Sequence, residues 1–167
     1  MIIQTQKKLN LFQKGLPMID KNINKIRSDI PDYVKIIAIS KTKPNEDIMK
    51  AYKIGHRSFG ENKVQEAEKK WKNIKSSNNI KLHMIGSLQS NKAKKAIELF
   101  DYIHSLDSLK LAEKISAVQK KLKKNLKIFI QINIGNEDQK SGIDIDQAQN
   151  FYNKCVKELD LDIIGLM

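Results

Sequence analysis

The sequence contains little cysteine and no long apolar run, and each scarcity excludes a class of protein. The single cysteine, Cys155, excludes an internal disulfide framework and fits a reducing cytoplasm. No apolar run approaches the roughly 20 residues needed to cross a bilayer, so we expect no membrane partner. The N-terminal segment MIIQTQKKLNLFQKG lacks the apolar core and cleavage site of a signal peptide. These features predict a cytoplasmic protein.

Arginine is also scarce, and this scarcity changes the meaning of the positive charge. The net charge is +12, but Arg27 and Arg57 are the only arginines among 31 basic residues. Because bidentate readout of phosphates and bases favours arginine, we expect no specific nucleic-acid partner. Attraction to a phosphorylated small molecule remains compatible with the charge.

Strand-like and helical segments alternate along the chain. At 167 residues the chain is interpreted as one domain, 1–167. The alternation predicts an α/β fold with a parallel sheet and right-handed crossovers. The predicted strands cover 35–40, 58–61, 82–86, 102–106, 127–134 and 161–166. The predicted helices cover 3–28, 44–54, 63–74, 90–99, 108–122 and 146–159.

Two nucleotide-binding motifs are missing from the sequence, and this favours a barrel. Neither GxGxxG nor GxxxxGK[ST] occurs, which disfavours a nucleotide-binding doubly wound sheet. We therefore predict a (β/α)8 TIM barrel, a fold that typically needs about 250 residues. The chain supplies about six of the eight βα units and is expected to be short by its C-terminal quarter.

Lys41 is the residue whose position in the sequence predicts a reactive amine. It follows the apolar run 36–39 and precedes Pro44, which places a primary amine at the C-terminal end of a strand. In α/β barrels the active site lies at that end. A partly desolvated lysine there has a lowered pKa and can condense with an aldehyde, most commonly pyridoxal phosphate.

Five segments, AISKTKP, FGENKVQE, HMIGSLQSNK, IQINIGNEDQKSG and GLM, occur in an order that resembles the pyridoxal phosphate homeostasis protein family. That family has the fold of the alanine racemase barrel. The resemblance implies that the chain holds pyridoxal phosphate as a reversible Schiff base on Lys41. It also implies a role in balancing the vitamin B6 pool, without established catalytic turnover.

The resemblance also implies further cofactor-binding residues. Asn62 matches an asparagine beside the cofactor, and Met167 matches the first methionine of a pattern that continues in the family. His83 and Gly86 lie in HMIG, where Leu82 replaces the family's tryptophan. His83 can equally be a core residue, and Gly86 a tight turn. The family's phosphate-binding loop and the arginine facing the pyridine nitrogen have no counterpart that we can map.

Several alternatives stay open. Lys43 competes with Lys41 as the reactive amine, and the polar loop 135–142, with Lys140, either covers a ligand or only connects elements. A pyridoxal phosphate-dependent racemase or lyase, and a truncated relic without function, are the other functional interpretations. We expect no metal, because the histidines do not cluster with Cys155. We expect a monomer that can transfer its cofactor to pyridoxal phosphate-dependent enzymes.

Overall fold

The computed structural model describes residues 19–75, 79–135 and 141–167. These residues fall into two compact units. The smaller unit contains residues 19–36 and 44–56, and the larger contains 37–43 together with the described residues from 57 to 167. The single domain over 1–167 therefore stays a prediction.

Two helices form the smaller unit. Helix α1 spans Ile19–Asp29 and packs against helix α2, Asn45–Lys53. The Arg27 guanidinium donates a hydrogen bond to the Ile54 carbonyl at 3.4 Å, which links the two helices. The predicted helix 3–28 is confirmed from residue 19 onward, and its part before residue 19 lies outside the described residues.

The ends of α2 follow the residues that mark them in the sequence. Pro44 lies at the N-cap, and Glu46 and Asp47 occupy the first turn, where carboxylates favour the helix dipole. Gly55 follows the last turn with φ 85°, a left-handed conformation that suits glycine. The predicted start and end of this helix are confirmed.

A six-stranded sheet forms the core of the larger unit. The strands of the larger unit are β1 (Ala38–Ile39), β2 (Ser58–Glu61), β3 (Lys81–Met84), β4 (Tyr102–Leu106), β5 (Lys127–Ile130), β6 (Ile132–Asn133), β7 (Ile143–Asp144) and β8 (Asp162–Leu166). The order in the six-stranded sheet is β1-β2-β3-β4-β5-β8, and every neighbouring pair is parallel, as predicted. Strands β6 and β7 form a separate parallel pair.

Helices alternate with these strands. The apolar stripe of α3, made of Val64, Ala67 and Trp71, is buried as the sequence predicts. The central strands are buried on the helix side by Leu82, Ile103 and Ile128. The helices are α3 (Val64–Lys75), α4 (Ala93–Leu99, after a 3-10 turn at Ser90–Lys92), α5 (Leu109–Leu122) and α6 (Ile145–Asn153, continued by a π-helical turn at Lys154–Glu158).

The predicted strand 127–134 is wrong in its extent. Strand β5 ends at Ile130, although the Gln131 amide still donates to the Leu106 carbonyl of β4 at 2.9 Å. The Gln131 side chain donates to the Ser141 carbonyl at 2.6 Å. The residues after Gln131 form β6, which pairs with β7, while the Ile132 amide donates to the Met167 carbonyl beyond β8. Residues 136–140 of the predicted loop, with Lys140, lie outside the described residues.

Other boundaries differ by smaller amounts. The first strand was expected over 35–40, but β1 contains only Ala38 and Ile39. These are the two residues that pair with β2, opposite Phe59 and Gly60. Ser108 lies at the N-cap of α5, as predicted, but forms no side-chain capping hydrogen bond. The last predicted helix widens at its end, because the Leu159 amide bonds to the carbonyl of Lys154, five residues earlier.

Candidate functional site

Four of the predicted site residues lie just beyond the C-terminal ends of strands. Lys41 lies two residues after β1, Asn62 one after β2, Gly86 two after β3, and Met167 one after β8. The carboxyl ends of parallel strands meet at the same edge of a sheet. The structure therefore brings these four residues to the edge at which α/β barrels place their chemistry.

Ile39, Gly60 and Ile85 share a face of the sheet. A Cβ built on Gly60 would contact the side chains of Ile39 and Ile85, so these residues lie on one face, which we call the inner face. Lys41 lies two residues after Ile39, and Asn62 lies two residues after Gly60, both beyond the last paired residues of their strands. Lys41 and Asn62 therefore lie at the same edge of the sheet, and contact of both with one ligand stays a prediction.

Lys41 lies in a tight turn and is exposed. The Lys43 amide donates to the Ser40 carbonyl at 3.1 Å and closes the turn. Thr42 takes the position of the turn that has a left-handed conformation, with φ 61°. The partial desolvation expected from the sequence is not seen, because Lys41 lies beyond the last residue pair of β1.

A buried polar network that was not predicted from the sequence lies on the opposite face of the same strands. Glu61 is fully buried, and its Oε1 accepts hydrogen bonds from Ser40 Oγ at 2.8 Å and Trp71 Nε1 at 2.9 Å. Lys70 Nζ lies 2.9 Å from the same oxygen. Trp71 was predicted as a packing residue; it packs 5.0 Å from the Phe59 ring and is also a hydrogen-bond donor.

A glutamate inside an otherwise apolar strand segment was the available signal for this network. Glu61 follows Phe59 and Gly60 directly, and buried carboxylates require partners. The partners are 9 to 21 residues away in sequence, so the strand alone did not identify them.

Gly86 contacts the main chain of Asn62. A Cβ at Gly86 would lie 2.8 Å from the Asn62 Cα, closer than real Cβ contacts. The Gly86 carbonyl accepts a hydrogen bond from Ser105 Oγ at 2.6 Å. The ends of β2, β3 and β4 are thereby fixed to one another. The close approach explains why glycine suits this position, whereas the tight turn and the contact with a ligand both remain predictions.

His83 lies inside β3 rather than at its end. Its ring stacks on Tyr102, with centroids 4.2 Å apart, and its Nδ1 lies 2.9 Å from His104 Nε2. His104 in turn stacks on Phe129 at 4.3 Å. The pKa of His83 is lowered to about 4, mainly by burial and also by the nearby His104, while Asp101 opposes the shift. This environment fits the core interpretation of His83.

Met167 continues the sheet beyond β8. Its amide donates to the Ile130 carbonyl at 2.8 Å, and its carbonyl accepts from the Ile132 amide at 2.9 Å. The main chain of Met167 thus links the end of β5 to the start of β6. Its side chain is 44% exposed, so it is accessible at the edge where Lys41 lies.

Metal binding, thiol chemistry and membrane insertion were also considered for the described residues. Within residues 19–75, 79–135 and 141–167, no three His, Cys, Asp or Glu side chains are placed as metal ligands. Cys155 is buried, and burial raises the pKa of its thiol to about 11. Over the same residues, no helix has both the length and the apolar character required to cross a bilayer.

The amino-acid sequence is similar to one protein family and to relatives that share one name. The family model "Alanine racemase, N-terminal domain" matches residues 16–167. The chain is 43% identical over 134 residues to a pyridoxal phosphate homeostasis protein of Pasteurella multocida, covering 75% of this chain and 58% of that protein. It is 39% identical over 163 residues to the protein of the same name from Haemophilus influenzae, covering 97% and 67%.

Solved structures show the same fold. PipY of Synechococcus elongatus, solved with PLP bound, superposes with a TM-score of 0.72 at 29% identity, covering 89% of this chain and 87% of that chain. An alanine racemase of Clostridium difficile superposes with a TM-score of 0.76 at 16% identity, covering 90% and 40%. The predicted barrel of the alanine racemase N-terminal type is thereby confirmed as the fold of which this chain forms a part.

The lengths of the relatives set the scope of the match. The chain spans 58% of the Pasteurella protein and 70% of a relative from Vibrio alginolyticus, to which it is 38% identical. The family model nevertheless matches nearly all of this chain, and the described strands have the same architecture as the solved structures. The chain therefore belongs to the alanine racemase N-terminal domain family, and within it to the pyridoxal phosphate homeostasis proteins.

Proposed function

We propose that this chain binds pyridoxal phosphate through a reversible Schiff base on Lys41 and serves in the homeostasis of intracellular vitamin B6. The observation that carries the proposal is the exposed Lys41 in the turn after β1, at the C-terminal edge of the sheet where Asn62 also lies. Support comes from relatives named pyridoxal phosphate homeostasis protein and from PipY, which was solved with PLP bound.

The residues at this edge fit the aldehyde end of the cofactor. Pyridoxal phosphate supplies an aldehyde that condenses reversibly with a primary amine. Lys41 provides that amine with free access from solvent, and Asn62 provides an amide that can donate to or accept from a polar ring substituent. Gly86 and Met167 complete the edge, while His83 supports the inner face from within β3.

A binding role without turnover fits the titratable groups of the inner face. Racemisation needs an acid/base group on each side of the bound substrate. His83 and His104 are instead hydrogen-bonded to each other inside their strands, and burial lowers the pKa of both. We therefore propose a cofactor carrier rather than a racemase or lyase.

The carrier role extends to the partners and location of the protein. Covalent but reversible attachment to Lys41 allows transfer to an amine of a pyridoxal phosphate-dependent enzyme by exchange. We propose that the chain acts in this way as a monomer in the cytoplasm. The free, buried thiol of Cys155 is compatible with a reducing compartment.

The test is an absorbance titration of the purified chain with pyridoxal phosphate. A lysine imine gives a visible-violet band. Borohydride reduces the C=N bond to a secondary amine, which abolishes the band and makes the attachment permanent, and peptide mass spectrometry then locates the modified residue. We expect the modification on Lys41 and no band for Lys41→Ala. Lys43→Ala is the matched control, because Lys43 lies in the same turn, and it should keep the band.

Three results would reject the proposal. A folded wild-type chain without a band would reject binding through a lysine adduct. Modification mainly at Lys43, with Lys41→Ala unaffected, would reject the assigned residue. Substrate-dependent racemisation of an amino acid that disappears in Lys41→Ala would reject the carrier role in favour of an enzyme.

A further inference from the structure

Helix α3 holds the main chain on both sides of Lys41. The Lys70 ammonium donates to the Ser40 carbonyl at 2.7 Å. The Thr42 amide donates to Glu66 Oε1, also at 2.7 Å. The residue before Lys41 and the residue after it are therefore each tied to a charged side chain, while the Lys41 side chain itself stays exposed.

These two contacts belong to one ion-pair cluster. Lys70 lies 2.9 Å from Glu61 Oε1 and 3.2 Å from Glu66 Oε1. The side chains of Lys70 and Glu61 are 10% and 0% exposed, so solvent screens this pair little. We call Glu61, Glu66 and Lys70 the Lys41 clamp.

The clamp is fixed to the core of the larger unit. Glu61 lies in β2 and accepts hydrogen bonds from Ser40 Oγ and from the buried indole of Trp71. Its other oxygen, Oε2, has no hydrogen-bond partner among the residues that the structure describes. The charge of Lys70 therefore has two uses: it stabilises a buried carboxylate, and it holds the Ser40 carbonyl.

The same contacts favour the ionised form of Glu66. The Thr42 amide is the largest cause that lowers the pKa of Glu66; burial opposes it, and Lys70 adds to the lowering. A charged acceptor strengthens the hydrogen bond from the Thr42 amide. Thr42 needs such support, because a β-branched residue is strained at φ 61°.

We propose that the Lys41 clamp positions the Lys41 amine for reaction with the aldehyde, with Glu66 and Lys70 as positioning residues. This inference rests on the proposed function. A turn that is ordered before binding loses less conformational entropy when the adduct forms. The clamp acts through the main chain of Ser40 and Thr42.

The first experiment compares substitutions in α3. Glu66→Ala removes the acceptor of the Thr42 amide, and we expect pyridoxal phosphate binding, read from the adduct band, to weaken about three- to tenfold. Glu66→Gln retains an oxygen acceptor without charge and should recover part of the loss. Glu68→Ala is the matched control: Glu68 lies on the same helix and pairs with Lys95 at 2.9 Å, and its removal should leave binding unchanged.

A measurement without cofactor separates positioning from general stability. Hydrogen exchange of the Thr42 amide should be faster in Glu66→Ala than in wild type and Glu68→Ala. The melting temperatures of Glu66→Ala and Glu68→Ala should be similar, since both glutamates are partly exposed. Equal binding by wild type and Glu66→Ala would overturn the inference and leave the proposed function standing. A wild-type chain that forms no adduct would overturn both.

The second experiment addresses Lys70, whose removal alone would leave Glu61 buried without a counter-charge and could unfold the chain. The double substitution Glu61→Gln with Lys70→Met removes both charges together. We expect this variant to fold, to release the Ser40 carbonyl, and to bind pyridoxal phosphate more weakly than wild type. Wild-type affinity in the folded double variant would overturn the role of Lys70. If the variant does not fold, Glu66→Ala decides the inference.

Discussion

The Cα of Gly86 lies against the main chain of Asn62, so closely that a Cβ at Gly86 would overlap the Asn62 carbonyl oxygen and lie 2.8 Å from its Cα. The contact ties the end of β2 to the end of β3, and a hydrogen bond from Ser105 to the Gly86 carbonyl adds to it. Gly86 is thus required for space at the proposed site.

Gly86→Ala should destabilise the fold and weaken cofactor binding together. The added methyl group meets main-chain atoms that cannot move independently, and overpacking of this kind costs about 1–3 kcal/mol. Urea unfolding followed by fluorescence of Trp71 measures the loss, since the chain has a single tryptophan. The adduct band measures binding.

Gly165→Ala is the comparison for Gly86→Ala. Its methyl group would meet the ring of Phe129 at 2.9 Å, a side chain that is only partly buried and can shift. We expect a smaller loss of stability there and little change in binding. Equal effects of the two substitutions would show that the Gly86–Asn62 contact has no special role.

Trp71→Phe should lower the free energy of unfolding by about 2–4 kcal/mol. The substitution leaves a cavity in the core and removes the indole hydrogen bond to Glu61. Chemical unfolding followed by circular dichroism measures the change. In a double-mutant cycle with Glu61→Gln we expect a coupling of roughly 1 kcal/mol. Strict additivity would contradict the hydrogen bond.

The stability of the larger unit should fall as the pH decreases from about 6.5 to 4. Burial lowers the pKa of folded His83 to about 4, whereas the unfolded value is near 6.5. Between these values the unfolded chain binds the proton and the folded chain does not, so acid favours unfolding by up to about 1.4 kcal/mol per pH unit. Above the unfolded pKa the effect vanishes.

A series of urea unfolding curves over this pH range measures the effect. Carboxylates also contribute to acid unfolding, so the double variant His83→Gln with His104→Gln is the reference. Its stability should depend less on pH between 6.5 and 4 than that of wild type. Parallel pH profiles would contradict a neutral, buried His83.

Cys155 should be unreactive in the folded chain. The thiol is fully buried, and its pKa is raised to about 11, so little thiolate exists at neutral pH. A colorimetric thiol reagent at pH 8 should react slowly with native protein and completely in denaturant. Rapid reaction of the native chain would show that the π-helical turn around Cys155 opens readily.

Much of the fold could be predicted from local patterns. The strands at 58–61 and 102–106 match the prediction to the residue, because turn and helix residues bound them closely. The apolar run 127–134 predicted one continuous strand, but the structure has a break at Gln131. The partners of Gln131, Leu106 and Ser141, are distant in sequence, so the run itself does not reveal the break. Apolar periodicity reports burial, but it does not report which strand supplies the partner.

The candidate site was only partly predictable for the same reason. Lys41 could be placed at the edge of the sheet because it follows an apolar run that predicts a strand, whereas Asn62 was predicted only from the resemblance of FGENKVQE to the family. The Lys41 clamp could not, because Glu66 and Lys70 resemble ordinary surface residues of a lysine-rich helix. Their contacts with Thr42 and Ser40 span 24 and 30 residues of sequence.

The left-handed conformation of Thr42 has a consequence for protein engineering. Glycine adopts φ 61° without strain, so Thr42→Gly would relax the turn, although it would also enlarge the conformational freedom of the unfolded chain. Selection of variants for heat resistance and selection for cofactor binding can therefore favour different residues at position 42. Laboratory evolution at this position would show whether threonine is the better residue for stability, for the orientation of Lys41, or for both.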